Sequence, residues 1–477
     1  MNEQEISNAN KRWLALIHAL ILLSIFLLFI FQRSLRLSED KQYTLWVIIL
    51  ILSFIWIVWS WYKIKKDLFN PYGLFLLAVF LFNISLPLLS LIPGNDSVSL
   101  NSLFPTGIVN LTLAVTTFSI LGLHMGALIA ANFVSRKKTE KRYRAGDREL
   151  AVVGYLLILI SLYPIFLTTK ESIQLSLDFG YNSLYRQSIG TGVLAGPSIL
   201  ANFIVPGVLF LLASSKSNKK NRLLSFVIIC TYTISQLILG KRSIAIMPLI
   251  AYLWLWHKTI KPIKIGYLTS LAAFFLFLIF PIIRLSRSII GIERFSWQTI
   301  TDLLSASNPV IDIFNEMGGT MNTIAHTVQL VPTTRAFDLG TSYLYSLTTA
   351  IPNFFWDTHP VITHGTLSNW LVWIIDPVFA RANGSFGYSF IAEAYLNFGA
   401  FGAIFILGLI GFLFIWFSEH VETSGNKALL VVLASYTSFF LFFARSESYA
   451  IIRPFVWYSM LPLAIYFLLS KLRGANG

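Results

Sequence analysis

The sequence predicts an all-α polytopic integral membrane protein with about twelve membrane-spanning helices. Of its 477 residues, 56% are hydrophobic and only 12% are charged, whereas a soluble domain carries roughly 25% charged residues. Apolar runs recur along the chain, and each is long enough to cross the hydrocarbon core as a helix. The single cysteine, Cys230, excludes a disulfide framework and a cysteine-based metal site.

Twelve apolar runs are predicted to span the membrane. They are residues 13–32, 43–62, 72–92, 108–131, 150–168, 197–214, 223–240, 243–257, 265–283, 387–417, 428–444 and 453–470. The first run follows Lys11 and Arg12 and is too long for a signal-peptide core. Because no small-residue cleavage site follows it, we expect an uncleaved span.

Basic residues predict which side of the membrane each connecting segment faces. Lysine and arginine in short loops accumulate on the cytoplasmic side. With both termini inside, 22 of the 36 basic residues fall in the inner segments, including "KIKK" (63–66), "SRKKTEKRYR" (135–144) and "SKSNKKNR" (215–222). We therefore expect cytoplasmic termini and a single membrane domain over residues 1–477.

Lysine and arginine are distributed unequally between the two sides. The inner segments carry 15 lysines and 7 arginines, whereas the outer segments carry 3 lysines and 11 arginines. Arginine is favoured where a planar, bidentate donor holds phosphate or carboxylate in a partly desolvated site. For any single arginine, snorkelling to the interface is the alternative. Taken together, the outer arginines favour an anion-binding cavity.

One long external loop, residues 284–386, is predicted between spans nine and ten. Its segments 342–356 and 369–379 are amphipathic, and their tryptophans and tyrosines suit helices that lie in the membrane interface or re-enter it. Irregular backbone near the bilayer is stable only when it is buried in protein or lines a cavity. The loop is too small and too apolar for a separate soluble domain.

Candidate general bases lie in the same loop. The stretch "WDTHPVITHG" (356–365) contains Asp357 and His364 beside aromatic residues. Histidine accepts a proton readily at neutral pH, and a carboxylate does so when its pKa is raised. Taken singly, each is a common residue of a solvated loop, which is the alternative interpretation.

Candidate anion-binding cations lie where predicted spans reach the outer surface. Lys241 and Arg242 occupy a tight turn, and the N-terminus of the following helix adds positive potential there. Two cations and a helix N-terminus suit a pyrophosphate, and a plain interfacial turn is the alternative. The other candidates are Arg284 and Arg287 at the end of span nine, Arg335 in the loop, and Arg445 and Arg453 in the last outer hairpin.

Span ten begins with polar residues. On a helix, Ser389, Glu393 and Asn397 form one polar stripe, and the glycines at 399, 402, 408 and 411 allow another helix to pack closely. The unbroken apolar part starts near Phe401, which lies about 12 Å from Glu393 at 1.5 Å rise per residue. We therefore expect Glu393 at the outer headgroup level with an arginine partner.

Three segments carry a family resemblance. They are "GKRS" (240–243), "LGTSYLYSLTTAIPNFF" (339–355) and "GYSFIAEAYLNFGAFG" (387–402). Together with the layout of spans and late external loop, they resemble bacterial oligosaccharide repeat unit polymerases, the Wzy-type O-antigen and capsule polymerases. That family is related to O-antigen ligases, so the resemblance implies the architecture of the GT-C class of glycosyltransferases.

The resemblance implies an inverting glycosyltransferase that uses no metal and no cofactor. It would join undecaprenyl-pyrophosphate-linked oligosaccharides, a donor and an acceptor, into O-antigen, capsule or exopolysaccharide at the outer face of the cytoplasmic membrane. Matching positions assign Arg242 to pyrophosphate binding and Glu393, Tyr395 and Asn397 to the site. The implied partners are the lipid bilayer, a chain-length regulator and a flippase, with no nucleic acid.

Two other functions and the choice of base remain open at this point. A ligase would transfer the glycan to a different acceptor, and a flippase or other transporter would move the lipid-linked oligosaccharide. A transporter should have two related halves with charges near the midplane, and the first six spans have neither feature. Glu393, His364 and Asp357 are alternative general bases.

Overall fold

The computed structural model describes residues 3–32, 37–92, 100–134, 146–181, 183–186, 195–287, 289, 291, 293, 296–305, 308–351 and 355–474. The basic segment 135–144 therefore lies outside the described residues. Within these ranges the chain forms helices and connecting segments and no β-strand. The predicted all-α fold is confirmed for this part of the chain.

The first nine predicted spans all fall on helices. These are α1 (Glu3–Phe31), α2 (Glu39–Lys65), α3 (Pro71–Leu89), α4 (Thr106–Phe133), α5 (Asp147–Phe179), α6 (Pro197–Ala213), α7 (Lys219–Ile238), α8 (Arg242–Thr259) and α9 (Ile265–Ser286). Two short helices, Leu100–Leu103 and Ser183–Arg186, lie between them.

Seven short helices occupy the described parts of the long loop, and three long helices complete the chain. The loop helices are α10 (Trp297–Ser305), α11 (Pro309–Gly318), α12 (Thr320–Leu330), α13 (Thr341–Thr348), α14 (Pro360–His364), α15 (Leu367–Ile375) and α16 (Pro377–Arg381). The last three are α17 (Phe390–Ser424), α18 (Lys427–Arg445) and α19 (Tyr449–Arg473). Helices α13 and α15 fall on the two predicted amphipathic segments.

Ten of the described helices are long and apolar enough to cross a membrane. The two remaining helices at predicted spans are α6 and α8. A turn at residues 202–203 interrupts α6, and charged or polar residues such as Arg242, His257 and Lys258 dilute the apolar sequence of α8. Length and hydropathy therefore support ten of the twelve predicted spans.

The two ends of the helix bundle separate the charges that the sequence assigns to opposite sides. At one end Lys65 pairs with Glu419 and Lys427 pairs with Asp147, all within predicted inner segments. At the other end, here called the arginine end, Arg242 and its neighbours lie beside the external-loop helices. In these contacts, charges of predicted inner segments meet one another, and charges of predicted outer segments meet one another.

Helices α4 and α17 pack together more extensively than any other described pair. A Cβ atom on Gly126 would lie 1.8 Å from the Gly408 carbonyl oxygen, and one on Gly411 would lie 2.1 Å from the Leu123 carbonyl oxygen. Small residues let helix backbones approach closely where the hydrophobic effect cannot drive association. The predicted role of Gly408 and Gly411 is confirmed.

Gly399 has a different role from the one predicted. Its backbone is not helical, with φ 67° and ψ −173°, a conformation that glycine adopts without a Cβ penalty. The first two turns of α17 therefore form a separate short helix that ends before Gly399. This break frees backbone groups beside the polar stripe of span ten.

Candidate functional site

Three arginines converge on one carboxylate at the arginine end. Arg242, the first residue of α8, donates to Glu316 Oε1 and also, at 3.3 Å, to the Phe280 carbonyl oxygen. Arg287 Nη2 lies 2.9 Å from Glu316 Oε1, and Arg284 Nε lies 3.5 Å from Oε2. Burial raises the pKa of Glu316, but the three arginines outweigh it and hold that pKa below its ordinary value. The carboxylate is therefore ionised at neutral pH.

The cluster keeps an excess of positive charge. Asp312, one turn before Glu316 on α11, lies 3.6 Å from Arg284 Nη1, so two carboxylates face three guanidinium groups. Lys241 precedes α8, and burial lowers the pKa of its ammonium group. A helix N-terminus and surplus cations in a partly desolvated place are the features of an anion-binding site.

A groove of about 580 Å³ leads away from the arginine cluster between α3, α8 and α9. Its charged lining residues are Arg242, Glu316 and Arg445, all at the arginine end, and most of the remaining lining is apolar. The Ile265–Phe274 part of α9 has no buried residue, so this wall stands away from the bundle. The groove therefore combines a cationic mouth with an apolar channel reaching towards the opposite end.

Of the two predicted cations of the last hairpin, Arg445 lines the same groove as Glu316. The Arg445 guanidinium stacks on Phe82 at 5.2 Å and on Phe442 at 5.8 Å from the ring centroids. Cation–π contacts of this kind stabilise a desolvated guanidinium. Arg453, the fifth residue of α19, does not line the described groove.

Glu393 forms the centre of a second polar site and is completely buried. Its Oε1 accepts from Ser342 Oγ at 2.9 Å and from Ser448 Oγ at 2.7 Å, and its Oε2 accepts from the Ser448 backbone N–H at 2.7 Å. The prediction that an arginine pairs with Glu393 is wrong, because the hydrogen bonds of its carboxyl group among the described residues come from Ser342 and Ser448. Two serines satisfy the carboxyl group because the helix break and the last hairpin bring hydroxyl and amide donors to it.

The break at Gly399 joins two of the segments that carried the family resemblance. Because the first two turns of α17 end there, the Leu396 and Asn397 carbonyl oxygens are free to accept from the backbone N–H groups of Asp338 and Leu339. The Asn397 side chain accepts from Gly340 N–H at 2.8 Å. It also donates to Ser342 at 2.7 Å and to the Glu393 carbonyl oxygen. The predicted polar stripe therefore anchors the start of α13.

Two further contacts tie the loop to this site. Arg335 donates to both carboxylate oxygens of Asp338, at 3.0 and 2.6 Å, and its guanidinium lies 4.6 Å from the Trp370 ring centroid. Glu447 accepts from the backbone N–H groups of Leu367 and Ser368 at the start of α15. Burial raises the pKa of Glu447 to about 7 in spite of these two hydrogen bonds.

Comparison with known families decides between polymerase, ligase and transporter. The profile of the family described as O-antigen polysaccharide polymerase Wzy matches residues 16–474, nearly the whole chain. The chain belongs to the Wzy family. It is an O-antigen repeat-unit polymerase, and therefore a glycosyltransferase that acts on lipid-linked oligosaccharide in the membrane. Searches of curated proteins and of solved structures find no significant match.

Within this Wzy protein, the residues predicted for pyrophosphate binding divide into groups. Arg242, Arg284 and Arg287 come together, with Lys241 adjacent in sequence and Arg445 along the same groove. Arg335 instead joins the polar site around Glu393. Tyr395 has its hydroxyl 3.4 Å from the Val331 carbonyl oxygen, and Asn397 holds the start of α13.

The three predicted bases differ in exposure. Glu393 is inaccessible, whereas Asp357 and His364 are exposed. The His364 ring stacks on Tyr345 with the centroids 3.6 Å apart. Tyr345 follows Ser342 by one turn on α13, so His364 lies beside the helix that contacts Glu393. Asp357 lies in an open surface depression with Phe355, Trp356 and Thr358.

Sequence reasoning missed Glu316, Ser342, Ser448 and the capping role of Glu447. An available signal for Glu316 was its i, i+4 spacing from Asp312 on a short amphipathic helix. The serines carry no such signal, because a serine that binds a buried carboxyl group looks like any loop serine. Their roles depend on contacts between segments that are 51 and 55 residues from Glu393.

Proposed function

We propose that this Wzy polymerase acts on undecaprenyl-pyrophosphate-linked repeat units and that Arg242, Arg284 and Arg287 hold the pyrophosphate of the donor. The observation that carries the proposal is the convergence of three guanidinium groups at the mouth of an apolar groove. Guanidinium groups bind phosphate oxygens with bidentate, charge-assisted hydrogen bonds. A lipid with a pyrophosphate head and a long apolar tail matches the arginine cluster with its head and the apolar groove with its tail.

The groove takes the polyprenyl chain of the donor. Its apolar walls come from α3, α8 and α9. A polyprenyl chain that moves from the bilayer into this groove is surrounded by apolar groups in both places. Both α3 and α9 contain a five-residue π-helical turn along the groove, at Phe80–Ile84 and Phe275–Ile279. Such turns inside α-helices are frequent at functional sites.

The arginines act on the leaving group. The acceptor hydroxyl attacks the anomeric carbon of the growing chain from the face opposite the phosphate, so the glycosidic bond forms with inversion as the carbon–oxygen bond to phosphate breaks. Negative charge then develops on the departing pyrophosphate. Preorganised cations aimed at developing charge lower the barrier, and three guanidinium groups supply this stabilisation without a divalent metal.

His364 is the proposed general base, and Glu393 is a positioning residue. A base must reach the acceptor hydroxyl, and His364 is exposed whereas Glu393 is not. The three hydrogen bonds of Glu393 hold Ser342 on α13 and Ser448 in the last hairpin together. Since His364 stacks on Tyr345 of the same α13, Glu393 orients the base through this helix.

The orientation follows the charge rule. With both termini in the cytoplasm, the arginine end faces the periplasm or the cell exterior, where a flippase would deliver repeat units and a chain-length regulator would act on the product. The larger share of basic residues in the inner segments, 22 of 36, supports the assignment. The membrane is the bacterial cytoplasmic, or inner, membrane.

Replacement of Arg242 by alanine tests the pyrophosphate site. A strain that lacks the polymerase is complemented with wild-type protein, R242A or R381A, where Arg381 is an exposed arginine at the end of α16. We expect R242A to yield surface glycan of single repeat units at normal protein level, while R381A restores long chains. Wild-type chain lengths with R242A would contradict the assignment.

A further inference from the structure

Glu316 occupies the position that an anionic ligand of the arginine cluster would take. Its Oε1 contacts both Arg242 and Arg287. Its Oε2 has an Arg284 nitrogen at 3.5 Å and no hydrogen bond from the described residues. A carboxylate and a phosphate present similar oxygen acceptors to a guanidinium group. The same guanidinium groups cannot form their full set of hydrogen bonds with the Glu316 carboxylate and with a phosphate at the same time.

Helix α11 presents this carboxylate at the mouth of the groove. Glu316 and Met317 line the groove itself, and Asp312 faces Arg284 one turn earlier. The end of α11 lies close to the outer part of α3, because a Cβ atom on Gly318 would lie 2.8 Å from the Leu86 backbone nitrogen. The acidic face of α11 therefore sits over the arginines rather than in solvent.

The physical reason for an internal carboxylate is the cost of unpaired buried charge. Arg242 is only 9% exposed, and a buried guanidinium without a counter-ion is strongly unfavourable. When no donor is bound, Glu316 supplies that counter-ion. When a pyrophosphate with several negative oxygens arrives, it offers the same arginines more charge than one carboxylate.

We propose that Glu316 is an internal competitor of the pyrophosphate, a role that rests on the pyrophosphate site proposed above. Donor binding exchanges the Glu316 ion pairs for pyrophosphate ion pairs. After glycosyl transfer, the return of Glu316 to Arg242 and Arg287 helps to release the pyrophosphate-bearing product. The carboxylate thus lowers donor affinity and raises the rate of product release.

The test compares full-length wild-type protein with E316Q, D312N and E171Q in lipid nanodiscs that contain lipid-linked repeat units. Glu171, on α5, provides a control for the loss of one outer negative charge. Initial polymerisation rates are measured against donor concentration, with inorganic pyrophosphate as the competing probe. We expect E316Q to bind pyrophosphate about tenfold more tightly, which corresponds to about 1.4 kcal/mol. Both KM and kcat should fall, because the donor binds better and the product leaves more slowly.

The outcomes separate the competitor role from a structural one. If Glu316 merely positions the arginines, E316Q weakens pyrophosphate inhibition and raises KM, and the proposal is overturned. Unchanged inhibition by pyrophosphate in E316Q overturns it as well. Should E316Q fail to fold in a thermal unfolding assay, D312N is decisive, with tighter pyrophosphate binding expected and weaker or equal binding contradicting the proposal.

A separate variant distinguishes failure of the underlying site. If R242A binds inorganic pyrophosphate as tightly as wild type in a direct binding measurement, the arginine cluster is not the pyrophosphate site, and the proposed function fails together with the role of Glu316. If R242A loses pyrophosphate binding while E316Q binds no more tightly than wild type, the site stands and only the competitor role is overturned.

Discussion

Replacing Glu393 with glutamine should leave polymerisation largely intact, because the role that we propose for this residue is to position α13 and the last hairpin. A glutamine can turn its Oε1 towards the Ser448 backbone N–H, which is the donor that has no alternative acceptor among the described contacts. Its Nε2 then faces the hydroxyl groups of Ser342 and Ser448. The Ser448 hydroxyl can donate instead to Ser346 Oγ, 2.7 Å away. The packing of α13 on the last hairpin is therefore kept.

The expected loss in the free energy of unfolding follows from the three hydrogen bonds that the Glu393 carboxyl group accepts. Glu393→Gln loses one hydroxyl-to-carboxyl bond, with a net cost of about 1–2 kcal/mol in the free energy of unfolding. Glu393→Ala also leaves the buried Ser448 N–H without an acceptor, which costs about 1–3 kcal/mol by itself, and opens a cavity where the side chain was. We expect a loss on the order of 3–5 kcal/mol for alanine.

The assay measures thermal unfolding in detergent and chain length in the complemented deletion strain, side by side. We expect E393Q to be slightly destabilised and to make long chains, and E393A to be strongly destabilised with little polymer. H364A should retain stability and lose polymer, since the proposed base is exposed. If E393Q keeps wild-type stability and makes only single repeat units, then Glu393 is itself the base and the positioning role is refuted.

Two further predictions concern stability. Because the pKa of Glu447 is about 7 in the folded protein and that of an ordinary glutamate is 4.5, its contribution is greatest below pH 4.5 and is lost as pH rises through 7. We expect the melting temperature of E447Q, relative to wild type, to rise between pH 5 and 8; a constant difference would contradict the raised pKa. Gly126→Ala places a Cβ against the Gly408 carbonyl oxygen and should cost at least about 1–3 kcal/mol by overpacking. Gly107→Ala, on the same α4 with open space around it, is the matched control and should be neutral or slightly stabilising.

Local sequence predicted the helices well because the bilayer allows few alternatives. A run of about 20 apolar residues in lipid must satisfy its own backbone hydrogen bonds, and a helix does this. The same constraint explains why α13 and α15 were foreseen from their aromatic residues. The prediction differs from the structure at α6 and α8, where a turn interrupts the first helix and charged residues lower the hydropathy of the second.

The candidate site was predicted in part. Arg242, Arg284 and Arg287 could be named because their type and their position at span ends favour anion binding, and the structure brings them together. Glu316 was not predicted as the counter-ion, because its i, i+4 spacing from Asp312 marks an acidic helix face but does not show which cations that face meets. The same limit applied to Ser448, whose contact with Glu393 joins segments 55 residues apart.

The amino-acid sequence alone thus determined the class of the protein, the positions of the apolar helices, the separation of charges between inner and outer segments, and the arginines at the span ends. These properties depend on composition and on short-range periodicity, because solvent and lipid interact with each residue whatever distant segments it packs against. Only the tertiary structure decided which carboxylate meets the arginines, that Glu393 binds serines, and that Gly399 ends a short helix. Those outcomes depend on which distant segments pack together, since a buried polar group takes whichever donor or acceptor the packing brings within reach.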